Sequence, residues 1–261
     1  MKRTLITGEI PEFPEEYRSL IQGSKIYDSS CSPEARVYYI EKDGGYYLKT
    51  APKGTLETES RMADYFNKKG LTSKMLSYHS ADRDWMLTER VQGEDCTYSM
   101  YLEDPKRLCD TVATQLRALH ETDYSDCPVP NRVEAYLATA DKNYKAGLFD
   151  THLFTEEYSF TTATDAWDYL QKNKHFLKTD TLLHGDYCLP NIMLDNWRFS
   201  GFIDVGNGGV GDRHIDIFWG SWTLWFNLKT NKYKERFFDA YGRDKLESEL
   251  LKLISAAEVF G

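Results

Sequence analysis

Three polar side chains in the C-terminal half have types and spacing that suit phosphoryl transfer. Asp186 sits in the triplet His184-Gly185-Asp186, Asn191 follows five residues later, and Asp204 lies thirteen residues beyond that. Moving a phosphoryl group demands little covalent work from a protein. It must hold an acceptor hydroxyl in line, take its proton, and neutralise the phosphates with a metal ion. An aspartate at a loop tip can accept such a proton. Asn191 offers a neutral oxygen and Asp204 a charged one, and a hard cation such as Mg²⁺ prefers oxygen ligands. A Gly-Asp pair alone marks many ordinary turns, so the chemistry is carried by the three positions together.

The elements around the trio must hold it in place. Leu182-Leu183 precedes it as a short apolar run. Ile192-Met193-Leu194, the turn pair Asp195-Asn196 and residues 197–203 read as two strands joined tightly, a hairpin that returns Asp204 to the side of Asn191. Toward the N-terminus, strands are expected at 23–28, 36–40, 46–50, 74–79 and 85–91, joined by turns into an antiparallel sheet. The first turn, 29–35, is rich in small hydroxyl residues. Its amides and Ser32 could meet phosphate oxygens, although an ordinary turn has the same composition. Lys49 ends the third strand, and a helix over 56–68 offers Glu57 and Glu59 as rival partners for it. Residue 92 opens a break, after which the chain turns mainly helical. Asp104-Pro105 starts a helix whose Leu108, Val112, Leu116 and Leu119 recur at helical spacing. His120 ends it with no acidic or thiol partner at a catalytic spacing and reads as structural. Further helices are expected at 134–144, at 165–172, in the aromatic run after Asp216, and at 245–260.

Composition narrows the classes. The 261 residues carry 41 acidic and 32 basic side chains, a formal net charge of -9. That balance argues against a nucleic-acid partner, which needs clustered positive charge, and suits a cationic small molecule. The five cysteines, Cys31, Cys96, Cys109, Cys127 and Cys188, are scattered without a CxxC pair, so neither a disulfide framework nor a zinc site is expected. With no run of eighteen apolar residues and no hydrophobic segment in 1–9, a cytoplasmic protein with no membrane partner is expected.

The blocks His184-Gly-Asp-Tyr-Cys-Leu-Pro-Asn191, Ser200-Gly-Phe-Ile-Asp204-Val-Gly206 and Gly211-Asp212-Arg213-His214-Ile215-Asp216 closely resemble those of the aminoglycoside phosphotransferases, within them the 3'-phosphotransferase branch. The resemblance spans nearly the whole chain. It implies an α+β, two-lobed, protein-kinase-like fold, with an N-terminal lobe over 1–92 (a five-stranded antiparallel sheet plus one helix) and a larger helical C-terminal lobe over 93–261 with an insertion near 131–180. It implies Asp186 as catalytic base, Asn191 and Asp204 as magnesium ligands, and Lys49, braced by Glu59, on the phosphates of ATP or GTP. Ser32 would face those phosphates, and the backbone around Glu89 and Val91 would meet the adenine edge. Glu156, Glu157, Glu258 and Phe260 would line the acceptor site, and Asp212, Arg213 and Asp216 would brace the metal loop. The implied partners are a nucleoside triphosphate and a small polyhydroxylated amine, with the protein as a monomer.

Four positions depart from the family pattern. Phe226 and Asn227 stand where consecutive acidic residues bind the antibiotic's amines, Asn207 stands where an arginine commonly follows the glycine of the metal loop, and Gly261 extends the end. A kinase of another small hydroxylated molecule, such as an amino sugar or amino alcohol, is therefore the alternative activity. A catalytically silent nucleotide binder is disfavoured because Lys49, Asp186, Asn191 and Asp204 are all present. A protein kinase is disfavoured by the missing glycine-rich loop.

Overall fold

Strand alternation sets the frame of the N-terminal half. In the computed structural model, which describes residues 3–8, 12–31, 33, 35–150 and 160–261, the first sheet is built from β1 (Thr4–Leu5), β2 (Lys25–Asp28), β3 (Arg36–Glu41), β4 (Tyr46–Pro52), β5 (Met75–Ser80) and β6 (Arg83–Glu89). All neighbours are antiparallel, in the order β1-β2-β3-β4-β6-β5. Five of these strands were expected. The sixth, β1, is a two-residue edge strand with both residues exposed, too short to show a period. One face is packed by Ile26, Tyr38, Ile40, Leu48 and Leu87, with Tyr17 from a short turn of 3-10 helix and the rings of Phe13 and Trp85 against it. Because side chains alternate along a strand, Leu48 in this core directs Lys49 to the opposite face. A short α1 (Arg18–Ile21) precedes the sheet, and α2 (Glu57–Lys68) follows β4. Buried Asp84 of β6 accepts the Leu56 amide at 2.8 Å, so a sheet side chain satisfies the donor at the entrance to α2. A two-residue β7 (Glu94–Asp95) closes this stretch.

The helical half begins with α3 (Ser99–Leu102) and α4 (Pro105–His120), the latter capped by Asp104, which accepts the Arg107 amide at 3.2 Å. Next come α5 (Arg132–Lys145), capped by Asn131, and α6 (Ala163–Asn173), opened by a capping box between Thr162 and Asp165. Buried β8 (Thr181–Leu183) leads into the Asp186 loop. The chain then forms the hairpin of β9 (Ile192–Asp195) and β10 (Arg198–Phe202), followed by β11 (Gly209–Gly211), which pairs with β8. Three helices complete it: α7 (His214–Leu228), α8 (Lys234–Tyr241) and α9 (Ser248–Glu258). The sequence reading did not anticipate α8. Its three buried residues, Phe237, Phe238 and Tyr241, fall within eight positions and give too little pattern to identify a helix.

The chain divides into two compact units, residues 1–98 with 190–206, and residues 99–189 with 207–261. The hairpin expected in the C-terminal lobe thus belongs with the first unit. Glu94 and Asp95 pair with Leu194 and Met193, the Phe202 amide donates to the Leu71 carbonyl at 2.7 Å, and Thr72 Oγ1 donates to the Phe202 carbonyl at 2.6 Å. At Gly93, with φ +88°, a Cβ would lie 2.1 Å from the Leu194 carbonyl oxygen, so only glycine permits this approach. Among the described residues no helix is long and apolar enough to cross a membrane.

Candidate functional site

In the first unit, strand β4 and helix α2 aim a lysine and a glutamate at each other. Lys49 Nζ donates to Glu59 Oε2 at 2.7 Å and to Oε1 at 2.9 Å, and also to Asp204 Oδ1 at 2.9 Å. Of the two rival glutamates, Glu59 is the partner. Burial alone would pull the Lys49 ammonium down, but the charges of Glu59 and Asp204 outweigh it and hold its pKa above the ordinary value. Glu59 is buried, whereas the Asp204 side chain is 54% exposed. Asp204 has a left-handed backbone, φ +56°, an uncommon state for a residue with a side chain and one found at functional sites.

The hairpin sets Asn191 beside Asp204. Phe202 pairs with Ile192, and the Ile203 amide donates to the Asn191 carbonyl at 3.0 Å. Asn196 and Trp197, with φ +48° and +70°, form a tight turn whose twist matches that of its strands. The pair offers one amide oxygen and one carboxylate oxygen. So sparse a set suits Mg²⁺, which takes its remaining ligands from phosphates and water.

The second unit carries Asp186 on a braced loop. Buried Asp216 of α7 accepts the amides of His184 and Gly185, both at 2.8 Å, and approaches His120 Nε2 at 3.2 Å. His120 Nδ1 in turn meets Tyr241 Oη at 2.8 Å. Burial holds the His120 pKa below its ordinary value although the Asp216 carboxylate pulls it up, so the ring is a neutral brace. The Tyr187 hydroxyl donates to the Val112 carbonyl at 2.7 Å, and Thr223 accepts the Leu189 amide at 3.1 Å. Gly185 has φ +83°, and a Cβ there would sit 1.9 Å from the Asn207 carbonyl oxygen. Asp212, expected to brace the metal loop, accepts the Lys178 and His214 amides at the start of α7, and Arg213 donates to Thr181 Oγ1 at 3.0 Å. Cys188 is a packed thiol. Burial, then the neighbouring Asp186 charge, pushes its pKa well above the ordinary value, which makes it a poor nucleophile.

The expected acceptor-side residues meet different fates. Glu258 is buried, its Oε1 accepts the Tyr136 hydroxyl at 2.9 Å, and Trp219 donates to it as well. Burial pushes its pKa up to about 7. The Asp186 charge adds to the rise, while Tyr136, Trp219 and Arg132 oppose it. The Phe260 ring packs inside the unit, edge-on to Tyr144 and Trp167 at 5.5 Å each. Ser32, Glu156 and Glu157 lie outside the described residues. Glu89 donates its amide to the Lys74 carbonyl at 2.9 Å and accepts from Ser73 Oγ at 2.6 Å, and Val91 is buried. Phe226 is 46% exposed and stacks on Trp222 with ring centroids 4.9 Å apart, while Asn227 donates to the Thr223 carbonyl at 2.8 Å.

Sequence reasoning did not single out Tyr136, Trp219, Tyr241 or Arg132. Arg132 Nη2 donates to Asn207 Oδ1 at 2.7 Å, and burial holds its pKa below the ordinary arginine value. These pairings join residues about 40 to 120 positions apart, so no local period announces them.

Comparison with known proteins gives a consistent picture. The phosphotransferase enzyme family matches residues 33–251. A probable aminoglycoside 3'-phosphotransferase of Lactococcus lactis is 51% identical, over 97% of this chain and 96% of its own length. An aminoglycoside 3'-phosphotransferase of Niallia circulans is 28% identical over 92% of this chain and 94% of its own. Among solved structures, an aminoglycoside-3'-phosphotransferase of type VIII superposes with TM-score 0.76 at 22% identity, covering 92% of this chain and 94% of that one. An aminoglycoside phosphotransferase from Streptomyces rimosus, in complex with ADP and streptomycin, gives TM-score 0.69 at 22% identity, covering 87% and 91%. These likenesses show the α+β protein-kinase-like fold.

Proposed function

The chain belongs to the phosphotransferase enzyme family, in its aminoglycoside 3'-phosphotransferase branch, and from that premise we propose that it transfers the γ-phosphoryl group of ATP or GTP to the 3'-hydroxyl of an aminoglycoside. The observation that carries the reading is the Lys49 ammonium held by Glu59 at 2.7 Å and Asp204 at 2.9 Å, with Asn191 fixed beside Asp204 by the hairpin. Lys49 pairs with the nucleotide's phosphates, and Glu59 keeps it charged and aimed. When bound to the oxygens of Asn191 and Asp204, a magnesium ion supplies neutralising charge to the phosphates. Asp186 orients the acceptor hydroxyl. The acceptor oxygen forms the new bond to phosphorus, its proton passes to Asp186, and the bridging oxygen leaves with its electron pair on the nucleoside diphosphate. Ionised Glu258 holds an amine of the acceptor. We assign the protein to the cytoplasm, where its co-substrate is made, and to a monomeric state in which one chain carries every named residue.

A second reading, an acceptor with fewer amines, is favoured by one observation. Where the family pattern has carboxylates, Phe226 exposes a stacked ring and Asn227 points its amide back to its own helix. Nucleotide turnover with Mg²⁺ should be measured against kanamycin, neomycin, an aminoglycoside lacking the 3'-hydroxyl, and simple amino sugars, with Asp186→Ala as control. Turnover of kanamycin that disappears with the 3'-deoxy compound and in the variant supports the first reading. Turnover confined to simple amino sugars replaces it with the second.

A further inference from the structure

We infer that Arg132 is a further catalytic residue, donating hydrogen bonds to the oxygens of the phosphoryl group as that group reaches the acceptor oxygen. The inference rests on the reading of the protein as a phosphotransferase that uses Asp186. Arg132 is the first residue of α5 and is half-buried as a whole. A guanidinium carries five N–H donors, and among the described residues its one hydrogen-bond partner is Asn207 Oδ1 at 2.7 Å. Glu258, the carboxylate that acts on it electrostatically, accepts its own hydrogen bonds from Tyr136 and Trp219 instead. The remaining donors of Arg132 reach solvent, so an incoming ligand with several oxygens can take them up without breaking the bond to Asn207.

Its location says what that ligand would be. The main chain of Asn207, the residue that anchors it, packs so closely on Gly185 that a Cβ there would lie 1.9 Å away, which fastens Arg132 to the turn carrying Asp186. The Glu258 carboxyl feels the charges of both Asp186, which raises its pKa, and Arg132, which lowers it. A phosphoryl group arriving beside two carboxylates meets repulsion, and a cation aimed at its oxygens offsets it. The planar fork of arginine matches phosphate oxygens two at a time. Position 207 itself holds asparagine. The cation comes to that spot from α5, held by the asparagine side chain. In the step, the phosphorus–oxygen bond to the nucleoside diphosphate breaks, the bond to the acceptor oxygen forms, and the acceptor proton goes to Asp186. Arg132 keeps all its protons.

Arg132→Ala and Arg132→Lys, each alone and in a Glu258→Gln background, test the assignment. Expected for Arg132→Ala is a fall in kcat of about a hundred-fold, with the KM for nucleotide changed less than about two-fold and partial recovery in Arg132→Lys. The same loss is expected in the Glu258→Gln background. A loss that vanishes there would overturn the inference, since Arg132 would then act only by holding Glu258. A kcat within two-fold of wild type in Arg132→Ala, or in Arg132→Lys and Arg132→Gln should the alanine variant melt early, would overturn it too. Slow hydrolysis of MgATP, with water as acceptor, gives a readout independent of the alcohol. If hydrolysis falls in Arg132→Ala while no aminoglycoside is turned over by the wild type, Arg132 stands and the aminoglycoside reading fails. A wild type with neither activity overturns both.

Discussion

Glu258 links burial, charge and pH at the scale of one residue. Its pKa rises from 4.5 to about 7 because the fold desolvates it, with the Asp186 charge adding. The folded state therefore holds this proton more tightly than the unfolded chain does. Its influence on stability is neutral below the unfolded value, turns unfavourable as pH climbs between about 4.5 and about 7, and is constant above that. Wild type should lose about 3 kcal/mol relative to Glu258→Gln across this window, measured as the difference in urea midpoints at pH 4.5 and pH 8. Equal pH dependence in the two proteins would contradict the burial argument. The KM for a cationic acceptor should fall as pH rises through about 7 in wild type and stay flat in Glu258→Gln. Lys49 gives a second expectation. Glu59→Ala removes a buried partner but leaves Asp204, so the loss should sit near the lower end for broken buried pairs, about 3 kcal/mol, read from denaturant unfolding, with a raised KM for nucleotide. The Asp186, Asn191 and Asp204 trio has a local spacing that the chain displays directly. Arg132 and Tyr136 have none, because what matters about them is a partner far along the sequence.

The hairpin of β9 and β10 acts as a single element that fixes Asn191 against Asp204. Its regularity breaks once, at Ser200, where Phe199 pairs with Leu194 and Gly201 with Met193. Removing Ser200 would leave Phe202 opposite Ile192, so nucleotide turnover should survive in part. Removing Asn196 from the turn shifts every later pair by one and sends side chains to the opposite face, so activity should vanish. Turnover in the two deletion variants tests this. Strand and helix spans in this region were legible because apolar periods and turn pairs are local. The edge strand β1 and helix α8 were missed because each is too short to establish a period.

At the scale of the molecule, a single boundary was expected near residue 92, whereas the contacts return 190–206 to the unit formed by 1–98. That return is made by pairing between distant segments, Asp95 with Met193 and Leu71 with Phe202, which composition does not reveal. A fragment of residues 1–98 should therefore melt without a cooperative transition, and a sharp melt by circular dichroism would show that the sheet and α2 suffice alone. The same return governs events during synthesis. Domains usually fold in the order in which they leave the ribosome, yet here the first 98 residues emerge without the strand pair that completes them. At ordinary elongation rates the missing segment follows some 5 to 20 seconds later. For that interval β7 and the Leu71 carbonyl have no partners, and the nascent chain must be kept from finding the wrong ones.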